Sequence, residues 1–154
     1  MRVAIEAARD WDLVRELFRE YERAAAAPAC FVTFEQELAA LPEGYAGVLV
    51  AWVEGAAAGC VAWRDLTPGI TPGIWEMKRL YVRPAFRGAG LAEELVKEVI
   101  ARTQGEGRIR LDTLPHMEAA IRLYRRMGFR EIGRYNENPV AGALFFEWEW
   151  GGAS

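Results

Sequence analysis

Apolar positions change their spacing along the chain, and the changes mark out most of its elements. Val3 and Ile5 alternate with polar neighbours, which predicts a first strand over residues 2–7. Asp10 follows as an N-cap. Trp11, Val14, Leu17, Phe18 and Tyr21 then recur every three or four residues, the stripe of an amphipathic helix that ends in the alanine run before Pro28. Thr33, with Gln36 three residues on, reads as a capping box opening a second helix that runs to about Leu41, where Pro42 and Gly44 break it. Apolar runs over 48–53 and 58–66 flank a Glu54-Gly55 turn and predict a hairpin. Two Thr-Pro-Gly-Ile copies, from Thr67 and Thr71, form the next loop, too short for a structural repeat.

A strand over 75–82 ends at Pro84, and its two-residue period puts Glu76, Lys78, Leu80 and Val82 on one face. A helix over 90–102 gathers Leu91, Leu95, Val96 and Val99 on one side. Ile109 and Leu111 alternate in a strand over 108–113, and a helix over 117–127 stops at Gly128, its natural C′ residue. Strands over 129–135 and 144–150 complete the order β-α-α-β-β-β-α-β-α-β-β. Hairpins first and βαβ units later predict an α/β (α+β) fold, a mixed sheet with helices on both faces.

Length and composition narrow this picture. The 154 residues fit one domain over 1–154, and 52% hydrophobic with 27% charged residues is a globular balance. No apolar run approaches the roughly 18 residues of a membrane helix, and no signal-peptide core opens the chain, so a cytoplasmic protein without a membrane partner is expected. The net charge of −3 argues against a nucleic-acid partner held by phosphate contacts. Charge is uneven, though: residues 1–77 carry 6 Lys and Arg against 12 Asp and Glu, while 78–154 carry 13 against 10. A small anionic ligand is therefore favoured by the second half. Cys30 and Cys60 have no paired spacing and read as idle thiols; with His116 the only histidine, no metal site is expected.

The most informative stretch runs from Leu80 to Ala92, a strand feeding through a glycine turn into a helix, a geometry that offers unpaired amides to a phosphate. Glu93 stands where a dinucleotide fingerprint needs glycine, and the Gly-Lys-Ser/Thr of a Walker loop is missing. Arg87 to Ala92 instead matches the pattern Gln/Arg-x-x-Gly-x-Gly/Ala. Downstream, Ala-Ile-Arg-Leu-Tyr-Arg-Arg-Met-Gly-Phe from Ala120 to Phe129 matches Ala-Ile-x-Leu-Tyr-x-x-x-Gly-Phe. In both blocks, and in its element order, the chain resembles the GNAT acetyltransferases, whose central sheet is mostly antiparallel.

That resemblance implies acetyl-CoA as cosubstrate, with backbone amides of Arg87, Gly88, Ala89, Gly90, Leu91 and Ala92 on its pyrophosphate. Main-chain groups at Leu80 and Val82 would pair with the pantetheine arm where the fourth and fifth strands splay, and an N–H near Leu80 or Tyr81 would meet the oxyanion. Arg83, Arg87, Arg125 and Arg126 are candidates for the coenzyme phosphates. Met117 departs from the family, many members of which place an Asn there. The same resemblance makes Tyr124 the general acid and Glu76 a base, raised in pKa by an apolar strand face, with a bridge to Lys78 or Arg79 as the plain alternative. Trp11, Phe31, Phe34, Trp63, the Thr-Pro-Gly loop and residues 135–139 are expected around the acceptor, and His116 is expected to be an ordinary exposed residue. The expected activity is transfer of acetyl to a primary amine, of a small molecule or else of a protein or peptide; a non-catalytic acyl-CoA-binding module is the alternative. The strand over 144–150 is a candidate for pairing across a homodimer.

Overall fold

The computed structural model describes residues 2–103 and 107–150, so the ends of the predicted 1–154 unit lie outside the described residues. Its strands are β1 (Val3–Ala7), β2 (Gly47–Val53), β3 (Ala56–Asp65), β4 (Gly73–Val82), β5 (Gly107–Thr113), β6 (Arg130–Ile132) and β7 (Leu144–Glu149). They form one sheet in the order β1-β2-β3-β4-β5-β7-β6. Only β4 and β5 run parallel; the other neighbours are antiparallel. Helices α1 (Trp11–Ala25) and α2 (Phe34–Ala40) cover one face, and α3 (Leu91–Arg102) and α4 (Glu118–Arg126) the other. The predicted mixed, mostly antiparallel sheet between helical layers is the observed architecture.

The two long helices, α1 and α3, bury the stripes their spacing announced. Val14, Leu17 and Phe18 of α1 pack on Val48, Val50 and Ala62, while Leu95, Val96 and Val99 of α3 pack on Leu49, Val61 and Ile109. Such side chains contribute roughly 1.5–3 kcal/mol each on burial, which fixes the two layers independently. Asp10 caps α1 as expected, its Oδ1 accepting from the Leu13 N–H at 3.1 Å. At the end of α4, Gly128 takes φ 94°. Its N–H donates to the Arg125 carbonyl and that of Phe129 to Tyr124, a Schellman closure that also stacks Phe129 on Tyr124.

Four expectations are corrected. Thr33 makes no capping bond: its backbone, at φ −105° and ψ 17°, is not the extended conformation that aims a hydroxyl into the helix, and a 3₁₀ turn over Pro28–Phe31 precedes it. The strand over 129–135 shrinks to β6, because Tyr135 turns back to donate its hydroxyl to Glu76. Strand β7 is not the edge of the sheet; it lies between β5 and the three-residue β6, which pairs with Phe145–Glu147.

The fourth correction concerns β4. Cys60 pairs with Tyr81 and Ala62 with Lys78, so Val61 stands opposite both Arg79 and Leu80. This is a β-bulge, with Arg79 in the left-handed region at φ 61°. One extra residue flips every side chain beyond it. Leu80 and Val82 therefore join Trp75 and Met77 beneath α3 and α4, whereas Glu76 and Lys78 share the opposite face with Arg79 and Tyr81. Glu76 faces no apolar row.

Strands β3 and β4 approach closely at Gly59, where an added Cβ would run into the Tyr81 carbonyl oxygen. Gly59→Ala is expected to lower the unfolding free energy by about 2 kcal/mol, from forced separation of packed backbone, as read by urea denaturation.

Candidate active site

Pairing between β4 and β5 stops at Glu76 and Arg110. Beyond that point the two parallel strands part, and the bulge at Arg79 lies on the opening. Two cavities meet there, sharing Tyr21 and Leu80: one of about 520 Å³ towards α3 and α4, one of about 260 Å³ towards α1 and residues 136–139.

The larger cavity is built by the glycine turn. Gly88 and Gly90 adopt φ 88° and 78°, where a side chain is strained, and a Cβ on either would find nothing within 4 Å. Gly90 is the N-cap of α3 and no side chain caps it, so the positive end of a twelve-residue helix opens onto the cavity. An open cradle beside uncapped amides fits a pyrophosphate. Of the strand and turn residues predicted to hold the cofactor, Leu80, Tyr81, Val82, Arg87, Gly88, Gly90, Leu91 and Ala92 line this cavity, while Ala89 lies in the turn but not on the wall.

The arginines separate into two groups. Arg87 Nε donates to the Val82 carbonyl at 2.9 Å, with its guanidinium over the Tyr81 ring. Arg126 reaches across the cleft to Glu93 of α3 at 3.4 Å. Both stand on the cavity wall. Arg83 and Arg125 do not: Arg83 is held by Glu20 and the Ala57 carbonyl, and Arg125 pairs with Glu131 at the surface. His116 is exposed, as expected, with Nε2 2.9 Å from the Ala25 carbonyl oxygen. Met117 Sδ accepts from the Thr113 hydroxyl at 3.6 Å.

Tyr124 projects from α4 to the wall of the smaller cavity. Its ring leans on Phe129 and Phe146, at 5.7 and 6.1 Å between centroids. Among the described residues its hydroxyl has no hydrogen-bond partner. Burial raises its pKa, with Tyr21 and Asp112 adding to the effect, so the phenol remains a proton donor. Tyr21, on the shared wall, is pushed up to about 12 by burial.

Glu76 lies behind the cavity wall. It is 1% exposed, with Oε1 2.7 Å from Arg64 Nε and 4.0 Å from Lys78 Nζ, while Oε2 accepts from the Tyr135 hydroxyl at 2.6 Å. The main ion pair is with Arg64, the cross-strand neighbour that the bulge-free part of the ladder sets opposite it. Arg79, the other partner considered, turns instead to Glu37.

Of the residues expected around the acceptor, Phe31 and 136–139 line the smaller cavity. Trp11, Phe34, Trp63 and the Thr-Pro-Gly loop do not, because Phe34 and Trp63 complete the two cores and Trp11 packs against one of them. Sequence reasoning missed Lys78 and Asp112, both on the wall. The signals were present: two consecutive cations, Lys78-Arg79, in an apolar strand mark the bulge, and Asp112 is an acid at the end of a buried strand. Asp112 Oδ2 accepts from Asn136 and Asn138 at 2.9 and 3.0 Å.

Comparison with known proteins agrees with this geometry. The profile of the acetyltransferase (GNAT) family matches residues 11–129. An uncharacterised N-acetyltransferase of Schizosaccharomyces pombe is 37% identical over 153 residues, covering 95% of this chain and 92% of that protein. A Klebsiella pneumoniae structure described as an acyl-CoA N-acyltransferase superposes with TM-score 0.74 at 26% identity, covering 96% of each chain. A Salmonella typhimurium acetyltransferase solved with acetyl-CoA superposes with TM-score 0.71 at 21% identity, over 97% of this chain and 94% of that one.

Proposed function

The chain belongs to the acetyltransferase (GNAT) family and is an acyltransferase, and from that premise we propose that it moves the acetyl group of acetyl-CoA onto a primary amine held in the smaller cavity. Bound acetyl-CoA would supply a thioester carbonyl and a thiolate leaving group. The Salmonella structure carries that molecule. The reading rests on one observation: two cavities meet at the β4–β5 opening, with an uncapped helix terminus on one and the Tyr124 hydroxyl on the other.

The roles follow from position. Amides of Gly88, Gly90, Leu91 and Ala92 hold the pyrophosphate. Leu80 offers main-chain groups that β5 does not take up, and its N–H, just past the bulge, polarises the carbonyl. Tyr124 gives its proton to the departing sulfur. Asp112 is the carboxylate on the acceptor wall and the one placed to receive a proton from the amine. Glu76, saturated by Arg64 and Tyr135, holds the segment that carries Asn136. A cavity of about 260 Å³ suits a small acceptor, being below the roughly 300–1,000 Å³ filled by drug-sized ligands.

The test pairs calorimetric binding of acetyl-CoA with release of free thiol across a panel of small amines. Saturable release is expected. Gly90→Val puts a β-branched residue at φ 78° and a side chain in the cradle; it is expected to weaken acetyl-CoA binding at least about tenfold. Tight coenzyme binding without turnover on any amine would make the protein a binding module instead.

A further inference from the structure

The smaller cavity carries a specific pattern of charge. Three cations reach it: Arg64, Lys78 and Arg79. Arg64 is neutralised by Glu76 at 2.7 Å and Arg79 by Glu37 at 2.6 Å. Lys78 is left over. Its ammonium donates no hydrogen bond among the described residues, and its ion pair there is a 4.0 Å contact with a Glu76 oxygen that Arg64 already holds. Burial and the adjacent Arg79 lower the Lys78 pKa from its ordinary 10.5, against the opposing pull of Glu76 and Asp112.

The same wall carries two carboxylates, Asp112 and Glu137. Both asparagine amides on Asp112 go to Oδ2, and Oδ1 has no partner among the described residues. Glu137 is exposed at the rim. Phe31, Leu114 and Pro139 add apolar surface to the same wall. A ligand that completes this wall needs an anion for Lys78, a cation for Asp112 and a modest apolar body.

We propose that the acceptor is a free amino acid, its carboxylate on the Lys78 ammonium and its amino group beside Asp112, facing Tyr124 and the cavity junction at Leu80. This rests on the acetyl-transfer reading above and adds the acceptor's class. Neither Lys78 nor Asp112 belongs to the glycine turn or to Tyr124's helix, so the pattern is a property of this chain's bulge and of the segment 136–138 that pins Asp112.

The experiment compares acceptors that differ only in the carboxylate: leucine against isoamylamine and phenylalanine against phenethylamine, with the corresponding amino-acid amides. The expected result is a kcat/KM at least about tenfold higher for the amino acids, the size of one charge-assisted contact. Lys78→Met should raise KM for leucine about tenfold and narrow the gap to isoamylamine. Amines or amides used as well as the amino acids would overturn the inference while leaving acetyl transfer intact. If no acceptor is turned over, the acetyl-transfer reading fails. Calorimetry of leucine and isoamylamine on the coenzyme A-loaded protein then decides the inference, which falls if leucine shows no binding preference.

Discussion

Tyr124→Phe is expected to reduce kcat by about a hundredfold to a thousandfold while leaving acetyl-CoA affinity and thermal stability nearly unchanged. The substitution removes one oxygen. Because the hydroxyl has no partner among the described residues, no protein hydrogen bond is lost with it, and the ring contacts to Phe129 and Phe146 survive. Phe129 and Gly128 still close the helix through main-chain bonds. What disappears is a phenol kept protonated by burial on the wall of the smaller cavity. General acid catalysis is worth about 10²–10⁴ in rate. Steady-state kinetics set beside coenzyme calorimetry separates the two effects, and unchanged turnover would strip Tyr124 of the role.

The second large effect is expected at Arg79, in stability. Its guanidinium, on a residue 6% exposed, lies 5.0 to 6.0 Å from the ring centroids of Phe18, Tyr21, Phe31 and Phe34. It also holds Glu37 at 2.6 Å and Tyr45 at 3.4 Å. One side chain thus ties α1, α2 and the turn before α2 to the bulge of β4. Arg79→Ala should cost about 3 kcal/mol, from a broken buried pair and lost cation–π contact. Arg79→Gly should recover about 0.5–1 kcal/mol of that loss, since φ 61° strains any side chain and suits glycine. Urea denaturation of both variants checks the order. An alanine variant as stable as the glycine one would mean that the backbone stores no such strain.

Much of this was legible in the sequence, for a physical reason. Hydrophobic period reports how a backbone segment turns and which side it buries, and both are local properties; hence the helices, the hairpin and a mixed sheet between helical layers came from spacing, while its mostly antiparallel character came from the family resemblance. The glycine turn was legible because left-handed backbone at Gly88 and Gly90 is a demand that residue type satisfies directly. Gly128 announced the Schellman closure in the same way, and with it the placement of Tyr124.

Tertiary structure decided what depends on partners distant in sequence. One residue of bulge in β4 exchanged the faces of Leu80 and Val82, so the strand period that worked elsewhere misplaced Glu76. The pairing of Glu76 with Arg64 and Tyr135 spans 12 and 59 residues. The insertion of β7 between β5 and β6 took it from the sheet edge that its apolar composition had suggested. Lys78 and Asp112, 34 positions apart in the sequence, became one charged wall only because parallel β4 and β5 part between them. The sequence by itself determined the glycine turn, whose shape lies in contiguous backbone. Only the folded chain decided the wall of the smaller cavity, where charges are brought together from separate strands.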